Sequence, residues 1–501
     1  MRTVDDDAQV LDLLVVGGGI NGVGVARDAA GRGLATMLVE RDDLASATSQ
    51  WSTKLIHGGL RYLEHYEFRL VGESLAEREV LLAQAPHLIE PLRFVLPHEP
   101  HLRPAWMIRA GLFLYDRIGG RVSLPRSQAV PLRGERWGAG LQPRLERGFV
   151  YADARVDDAR LVVATALGAR AKGAQVLTRT TFSRAVRERR LWRATIVDES
   201  GIAREVRVRA LVNASGPWVG AVLDATGVRS SARVRHVKGS HIVVPRVHDE
   251  PHAYLLQNVD KRIVFVIPYQ HRFSLIGTTD VAVTDYESPK ISVEEIDYLV
   301  DLANRYLAQP ISRGDVVWSY SGVRPLYDDG ESELSAITRD YTLKVDAGAD
   351  GRAPPVLSIY GGKLTTYRKL SDAVMNELKP YFPSMPGAWT ASEPLPGGDI
   401  PSHDRGSYID QVTKRHAGLP APLVEGLVKR HGTLVERVLG DARRPSDLGR
   451  SFVDDLCERE VAYMLDHEWA KSADDVLWRR SKYGLFATDR QRAEVASFVG
   501  A

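Results

Sequence analysis

Cysteine is almost absent from this chain of 501 residues. The single cysteine, Cys457, excludes an internal disulfide and any structural zinc site built from several thiolates. A strong excess of one charge is also lacking, because 66 Lys and Arg face 64 Asp and Glu. The composition therefore gives no reason to expect a nucleic-acid partner, and we expect no metal site.

Long apolar runs are missing as well. A membrane-spanning helix needs about 20 apolar residues in succession, and no stretch of the sequence approaches that length. The first twelve residues contain four Asp and lack the basic and apolar regions of a secretory signal. We expect a cytoplasmic protein whose contact with a membrane is peripheral.

The first forty residues alternate as strand, glycine turn, helix and strand. Leu11–Val16 is a short apolar run typical of a strand buried on both faces, Ile20–Arg32 is a helix rich in Ala and Gly, and Ala35–Glu40 is the next strand. A second unit is predicted at Val156-Asp157-Asp158, where Asp can cap a helix that extends to Gly173, followed by a strand from Gln175 to Arg179. This order is typical of a doubly wound α/β domain.

The glycine turn predicts a dinucleotide site. Gly17-Gly18-Gly19-Ile20-Asn21-Gly22 lies between a strand and a helix, where missing side chains let a pyrophosphate approach the helix N-terminus. Glu40 follows about 20 residues later, where a carboxylate can bind a ribose hydroxyl. We predict cofactor contacts by Gly17, Gly19, Asn21, Gly22 and Glu40. A glycine turn that only permits close helix packing is the alternative.

The segment after the second strand favours FAD over a nicotinamide cofactor. It supplies hydroxyl groups and closely approaching backbone from Thr48 to Lys54 and from Ile56 to Gly59. A flavin is held along its whole length, whereas a nicotinamide enzyme has no evident use for such a segment. The predicted FAD contacts are Thr48, Ser49, Lys54, His57 and Gly58. A polar loop with tight turns is the alternative.

These patterns together predict an α/β fold with a discontinuous Rossmann-like FAD-binding domain, a β-rich substrate domain with an antiparallel sheet, and a C-terminal helical domain. The expected FAD-binding ranges are 1–80, 150–235 and 335–390. The substrate-binding ranges are 81–149 and 236–334, because 233–280 is rich in predicted strands. The helical domain is expected over 395–501, where apolar residues recur at helical spacing, for example in Leu427–Leu439 and Glu460–Lys471.

A series of motifs extends along nearly the whole chain. They are His57-Gly58-Gly59-Leu60-Arg61-Tyr62-Leu63-Glu64, His101-Leu102-Arg103-Pro104-Ala105-Trp106, Val156-Asp157-Asp158-Ala159-Arg160, Lys238-Gly239-Ser240-His241, Ser321-Gly322-Val323-Arg324-Pro325, Ile337-Thr338-Arg339-Asp340, Gly361-Gly362-Lys363-Leu364-Thr365-Thr366-Tyr367 and Leu477-Trp478-Arg479-Arg480. In this order they resemble the FAD-dependent glycerol-3-phosphate dehydrogenases of the bacterial aerobic, quinone-linked type. Two segments depart from that pattern: Ser215 replaces a Thr, and Gln50-Trp51-Ser52-Thr53 replaces a smaller, Ser-rich stretch and puts Trp51 near the presumed flavin.

The resemblance implies oxidation of sn-glycerol 3-phosphate to dihydroxyacetone phosphate, with electrons passed to a membrane quinone at the inner face of the cytoplasmic membrane, and a homodimer. It also implies substrate-phosphate binding by Arg61 and Arg324, because guanidinium groups present paired donors to phosphate oxygens. Tyr62 adds a hydroxyl donor. Arg339 either binds substrate or orients a carboxylate. Further FAD contacts are expected from Gly216, Trp218, Gly362, Lys363, Leu364 and Thr365.

Oxidation of a secondary alcohol removes a hydride from carbon and a proton from oxygen. Among the expected catalytic residues, His241 is the preferred base, since an imidazole accepts a proton at neutral pH; a packed strand histidine is the alternative. Arg324 contributes binding and electrostatics. Lys363, at the start of a helix predicted to follow Gly361-Gly362, is expected to face the negative charge of reduced flavin, the alternative being a surface lysine.

The segment from His101 to Arg121 mixes aromatic and aliphatic residues with four arginines, as a basic amphipathic helix at a membrane surface does. A buried helix with arginines at its edge is the alternative. Three further functions stay open: an oxidase that passes electrons to dioxygen, a non-catalytic flavin-binding protein, and a nicotinamide-linked dehydrogenase.

Overall fold

The computed structural model describes residues 10–99, 103–120, 122–229, 232–258, 262–328 and 340–500, with the side chains of Arg61 and His65 outside the description. The strands within these residues are β1 Leu11–Val16, β2 Thr36–Val39, β3 Leu55–Ile56, β4 Ile89–Pro97, β5 Gln128–Pro131, β6 Arg147–Val156, β7 Gln175–Leu177, β8 Thr180–Glu188, β9 Leu191–Asp198, β10 Ala203–Asn213, β11 Val234–Pro245, β12 Ala253–Gln257, β13 Ile263–Tyr269, β14 Phe273–Gly277, β15 Val281–Ala282, β16 Trp318–Tyr327, β17 Thr342–Asp346, β18 Val356–Tyr360, β19 Ser451–Val453 and β20 Leu456–Cys457. The helices are α1 Ile20–Gly31, α2 Phe68–Gln84, α3 Ala105–Ile118, α4 Asp158–Ala171, α5 Val219–Asp224, α6 Val293–Asn304, α7 Tyr367–Leu378, α8 Arg405–Arg415, α9 Ala421–His431, α10 Val435–Leu439, α11 Glu458–His467 and α12 Asp489–Val499.

The first sheet has the order β17-β18-β10-β1-β2-β7, and the β8–β9 hairpin continues it from β10. Strands β18, β10, β1, β2 and β7 are mutually parallel. Helices α4 and α7 pack against α1, and apolar residues of all three join one core cluster with this sheet. Since parallel strands meet their ligands at their carboxyl ends, this sheet places the glycine turn after β1 beside the ends of β2 and β10.

The second sheet is largely antiparallel, in the order β15-β11-β14-β13-β12-β4-β6-β3, with β16 paired to β11 and β5 to β6. The long β11–β16 pairing sets His241 opposite Tyr320 and Val237 opposite Arg324. Because alternate residues of a strand share a face, Tyr320, Gly322 and Arg324 are presented on one side of this sheet.

The C-terminal helices α8 to α12 and the β19–β20 hairpin form two apolar clusters of their own. This region is tied to the first sheet by buried ion pairs, including Arg480 with Asp43 and Arg160 with Glu468. The predicted fold class, with an α/β FAD-type domain, an antiparallel sheet and a helical C-terminal region, is confirmed. Among the described helices, none combines the length and apolar character that crossing a bilayer demands.

Several predicted element bounds are wrong. The helix expected from Lys363 begins at Tyr367, because Gly361 and Gly362 have φ angles of 72° and 94° and a turn follows them. The single helix expected over Leu427–Leu439 is broken at Gly432, whose φ is 57°. The strand expected to reach Arg179 ends at Leu177.

Candidate active site

One large cavity of about 670 Å³ runs from the glycine turn to the face of the second sheet. At one end it is lined by residues at the carboxyl ends of β1, β2 and β10, such as Gly17, Glu40 and Ala214. At the other end His241 and Arg324 line it. The cavity therefore connects the predicted dinucleotide turn with the predicted reaction groups.

The glycine turn is shaped by close backbone approach. Gly17 has a φ of 115°, and a Cβ there would lie 2.6 Å from the Ala214 carbonyl oxygen. A Cβ on Gly22 would lie 1.9 Å from the Gly17 oxygen, so no side chain fits at that position. Ser49 Oγ accepts a hydrogen bond from the Ile20 N–H at 3.0 Å, which holds the following loop at the start of α1.

Glu40 closes the end of β2 beside this turn. Its carboxylate accepts hydrogen bonds from the Gly18 N–H at 2.6 Å and the Asp42 N–H at 2.9 Å. Burial raises the pKa of Glu40, and the two backbone donors oppose that rise. The carboxylate is thus fixed at the cavity wall, where it remains able to accept a ribose hydroxyl.

Distant loops meet over the middle of the cavity. Asn21 Nδ2 donates to the Gly361 carbonyl at 3.2 Å, Thr48 Oγ1 donates to the Val323 carbonyl at 2.7 Å, and the His57 N–H donates to Thr365 Oγ1 at 3.2 Å. Gly19, Gly362 and Leu364 also line this part. The loops predicted to bind one cofactor are therefore joined to one another by hydrogen bonds.

The residues fit an FAD molecule. Three buried polar atoms of cavity-lining residues, Asn21 Oδ1, Lys363 Nζ and His241 Nδ1, have no hydrogen-bond partner among the described residues. Such atoms are costly unless a ligand satisfies them. The glycine turn leaves room for a pyrophosphate, and the cavity continues beyond it to His241 and Arg324, where a flavin would lie.

Some predicted FAD contacts are placed differently. Lys54 does not line the cavity, because its buried ammonium donates to both carboxylate oxygens of Asp158 and to the Gln50 carbonyl. Gly58 lies behind the lining, where its N–H donates to Tyr115 Oη at 2.8 Å. Gly216, with a φ of 58°, and Trp218 do line the cavity at its dinucleotide end.

His241 is buried at the reaction end, with 2% of its surface exposed. Its Nε2 lies 3.0 Å from Thr53 Oγ1, and its ring stacks on Tyr320 with centroids 4.8 Å apart. Burial lowers the pKa of His241 well below 6.5, and the positive charges of Lys54 and Arg324 lower it further. The imidazole is therefore neutral at physiological pH.

Arg324 and Lys363 supply positive charge to the same cavity. Arg324 Nη2 donates to Asp280 Oδ1 at 2.7 Å and to the Thr279 carbonyl at 3.2 Å. Lys363 Nζ lies 3.9 Å from the centroid of the Tyr62 ring. Of the other predicted substrate contacts, the Arg61 side chain and Arg339 lie outside the described residues.

Sequence reasoning missed three groups at the reaction end: Thr53 beside His241, Asp280 beside Arg324, and Tyr320 under the His241 ring. Thr53 directly precedes Lys54, a predicted FAD contact, and its hydroxyl group was itself a usable signal for a polar contact in the site. Asp280 and Tyr320 gave none, because their roles depend on strand register between β11 and its neighbours.

Comparison with known proteins agrees with this geometry. The family model described as FAD dependent oxidoreductase matches residues 12–368, and the C-terminal domain of alpha-glycerophosphate oxidase matches residues 388–500. The chain is 51% identical to the aerobic glycerol-3-phosphate dehydrogenase of Escherichia coli K12 over 493 residues, which cover 97% of each chain. It is 48% identical to the D-erythritol 1-phosphate dehydrogenase of Brucella abortus, again over 97% of each chain.

The fold is also similar to a solved structure, the glycerol-3-phosphate dehydrogenase of Bacillus halodurans complexed with FAD. The TM-score is 0.75 at 25% identity, and the match covers 98% of this chain and 94% of that one. The likeness therefore includes the C-terminal helical region as well as both sheets.

Proposed function

The chain belongs to the family of FAD-dependent glycerol-3-phosphate dehydrogenases, and from this we propose that it oxidises sn-glycerol 3-phosphate at C2 to dihydroxyacetone phosphate. FAD is its cofactor. The observation that carries the substrate proposal is the meeting of Arg324, His241 and Lys363 in the cavity that begins at the dinucleotide turn.

The phosphate is bound by Arg324, together with Arg61 as the resemblance implies, and Tyr62 adds a hydroxyl donor. Arg339 either binds substrate or orients a carboxylate. A guanidinium group in a partly enclosed site is suited to phosphate binding, because it forms paired hydrogen bonds with phosphate oxygens and stays charged. Asp280 fixes the guanidinium of Arg324 through an ion pair at 2.7 Å. The substrate is thereby held by its phosphate, with its hydroxyl groups directed along the cavity.

When bound, FAD would supply the acceptor for the hydride that leaves C2. His241 accepts the hydroxyl proton at Nε2, the ring nitrogen that lies next to the Thr53 hydroxyl. A neutral imidazole is the form that this step requires. Lys363, whose ammonium has no hydrogen-bond partner among the described residues, supports the transfer because it stabilises negative charge that develops beside it.

The electrons are proposed to leave to a membrane quinone. The cavity has an apolar side lined by Tyr151, Leu255 and Phe265, and these residues pack in one cluster with the buried face of α3. The opposite face of α3 exposes Trp106, Met107, Phe113 and Leu114 beside Arg109 and Arg117. This arrangement favours peripheral binding to the inner face of the cytoplasmic membrane. A homodimer stays a prediction.

The test is anaerobic bleaching of the flavin absorbance of the purified protein. Glycerol 3-phosphate is expected to bleach it and glycerol is not, because glycerol lacks the phosphate. D-erythritol 1-phosphate is the second candidate substrate, favoured by the relative that carries that name. Flavin that no polyol phosphate bleaches would contradict the proposal. Reduction of a soluble quinone without peroxide release separates a dehydrogenase from an oxidase.

A further inference from the structure

The C-terminal segment Asp475–Lys482 packs on loops that belong to the active-site region. Arg480 is fully buried and donates to both carboxylate oxygens of Asp43, at 2.6 and 2.8 Å. Lys482 Nζ lies 3.3 Å from Asp157 Oδ1. Buried pairs of this kind are strongly disrupted when one partner is removed, so the segment is held firmly in place.

Trp478, in the same segment, begins a continuous run of ring contacts that ends at His241. Its indole stacks on Trp318 with centroids 4.7 Å apart and planes at 19°. Trp318 contacts Tyr320 at 5.1 Å, and Tyr320 stacks on the His241 imidazole at 4.8 Å and 19°. We call Trp478, Trp318 and Tyr320 the aromatic stack. No described residue after Thr365 lines the cavity, so Trp478 acts on the site through Trp318, which contacts both Tyr320 and the cavity residue Trp51.

The His241 ring is held by packing more than by hydrogen bonds, between Tyr320 and Gly277, where an added Cβ would lie 2.1 Å from its Cδ2. Its Nδ1 is buried and has no hydrogen-bond partner among the described residues, and Nε2 has the Thr53 hydroxyl. Tyr320 is itself held by a hydrogen bond from Oη to the Ser52 carbonyl at 2.7 Å and by its contact with Trp318. Displacement of Trp318 therefore changes the surface against which the imidazole lies.

We propose that Trp478 is a positioning residue, which keeps His241 in its reactive orientation through Trp318 and Tyr320. The C-terminal helical domain thereby becomes part of the catalytic apparatus. This inference rests on the proposed function for the role of His241, but the packing relationship does not. Its test therefore includes a measurement that needs no substrate.

The test compares Trp478→Ala, Trp478→Phe and Trp469→Ala in the FAD-loaded full chain. Trp469 is a matched control, because it is also a half-buried tryptophan of the C-terminal region. It packs against the core cluster of the first sheet and its helices, with Arg170 at 4.4 Å from its ring. Trp478→Ala is expected to slow flavin reduction about tenfold or more with little change in KM, since small misplacements of a reactive group are costly. Trp478→Phe restores most of the rate, and Trp469→Ala retains it.

The second measurement is the rate at which diethyl pyrocarbonate modifies His241, followed by peptide mass spectrometry. Trp478→Ala is expected to raise that rate severalfold over both the wild type and Trp469→Ala, because the imidazole loses its packing. An unchanged modification rate overturns the inference, whatever happens to activity. If no polyol phosphate reduces the wild-type flavin, the proposed function fails, and the modification rates still decide the inference.

Discussion

The ammonium group of Lys363 lies 3.9 Å from the centre of the Tyr62 ring and, although shielded from solvent, forms no hydrogen bond with any described residue. A cation over an aromatic ring is partly stabilised by it, but an ammonium has three donors to satisfy. The described part of the chain leaves these donors unsatisfied. The position is consequently suited to an anionic group of the cofactor or substrate.

Replacement of Lys363 by Met is expected to separate stability from activity. The unliganded protein should gain about 1–3 kcal/mol in the free energy of unfolding, because an unsatisfied buried group is removed. Flavin reduction should slow about 100-fold, the size of effect found when one transition-state donor is lost. Thermal unfolding of the apoprotein and stopped-flow absorbance measure the two effects, with Lys363→Arg as the charge-retaining control. A less stable apoprotein would show that Lys363 already has a stabilising partner.

Replacement of Arg324 by Ala is expected to raise KM for glycerol 3-phosphate, because the phosphate loses a charged partner. The fall in kcat/KM should correspond to a loss of about 2–5 kcal/mol in transition-state stabilisation. Arg235→Ala is the matched control: Arg235 also lies on the second sheet and pairs with an aspartate, Asp328, at 2.9 Å, but does not line the cavity. Steady-state kinetics with a soluble acceptor measure both variants. An unchanged KM in Arg324→Ala would remove this residue from phosphate binding.

Replacement of His241 by Asn is expected to slow flavin reduction about 100-fold if the imidazole is the base. Burial lowers the pKa of His241 well below 6.5, so the wild-type rate should be flat from neutral pH down to about 6.5, the ordinary histidine pKa, and should fall only in more acid solution. Stopped-flow reduction across pH tests this. Fast reduction in the Asn variant at every pH would place the base elsewhere.

The same pKa shift has a consequence for stability. Below about pH 6.5 the histidine of the unfolded chain binds a proton that the buried imidazole does not bind. The free energy of unfolding therefore falls by at most about 1.4 kcal/mol for each pH unit below that value. Above about 6.5 the effect is absent. His241→Asn should therefore lose less stability than the wild type between pH 7 and pH 5. Denaturant unfolding at the two pH values measures the difference, and parallel losses would contradict the burial of His241.

Replacement of Gly22 by Ala is expected to abolish FAD binding. The added Cβ would lie 1.9 Å from the Gly17 carbonyl oxygen, so the turn and the start of α1 must separate. Gly220→Ala is the control, because a Cβ there, in α5, meets nothing within 4 Å. The flavin content of the two purified variants measures the effect. Full flavin content in Gly22→Ala would show that the turn tolerates displacement.

The sequence predicted best what depends on local signals. β1 begins and ends where its apolar run does, and Asp157 caps α4 by accepting a hydrogen bond from the Arg160 N–H at 3.1 Å. The helix expected at Lys363 was wrong because the turn there is held from afar: Thr365 accepts a hydrogen bond from His57, 308 positions earlier.

Long-range partners also explain what was missed in the site. Lys54 is drawn from the cavity by Asp158, 104 positions later, and a lysine in a hydroxyl-rich segment gives no hint of such a partner. The aromatic stack joins Trp318 to Trp478 across 160 positions. The division of the chain into the three sets of domain ranges stays a prediction.

The exposed face of α3 gives the sharpest test of membrane binding. Trp106 and Phe113 are 71% and 57% exposed. Transfer of such large, exposed apolar side chains from water into a bilayer interface is energetically favourable. Replacing both by Ser is expected to lower binding to anionic lipid vesicles at least tenfold, or about 1.4 kcal/mol. Ile202→Ser is the control, because Ile202 is 64% exposed at the distant β9–β10 connection.

Flavin bleaching by substrate should be unchanged in all variants, since none of these residues lines the cavity. Reduction of a quinone embedded in vesicles should fall only in the double variant. Vesicle binding that survives the double replacement would assign membrane contact to another surface.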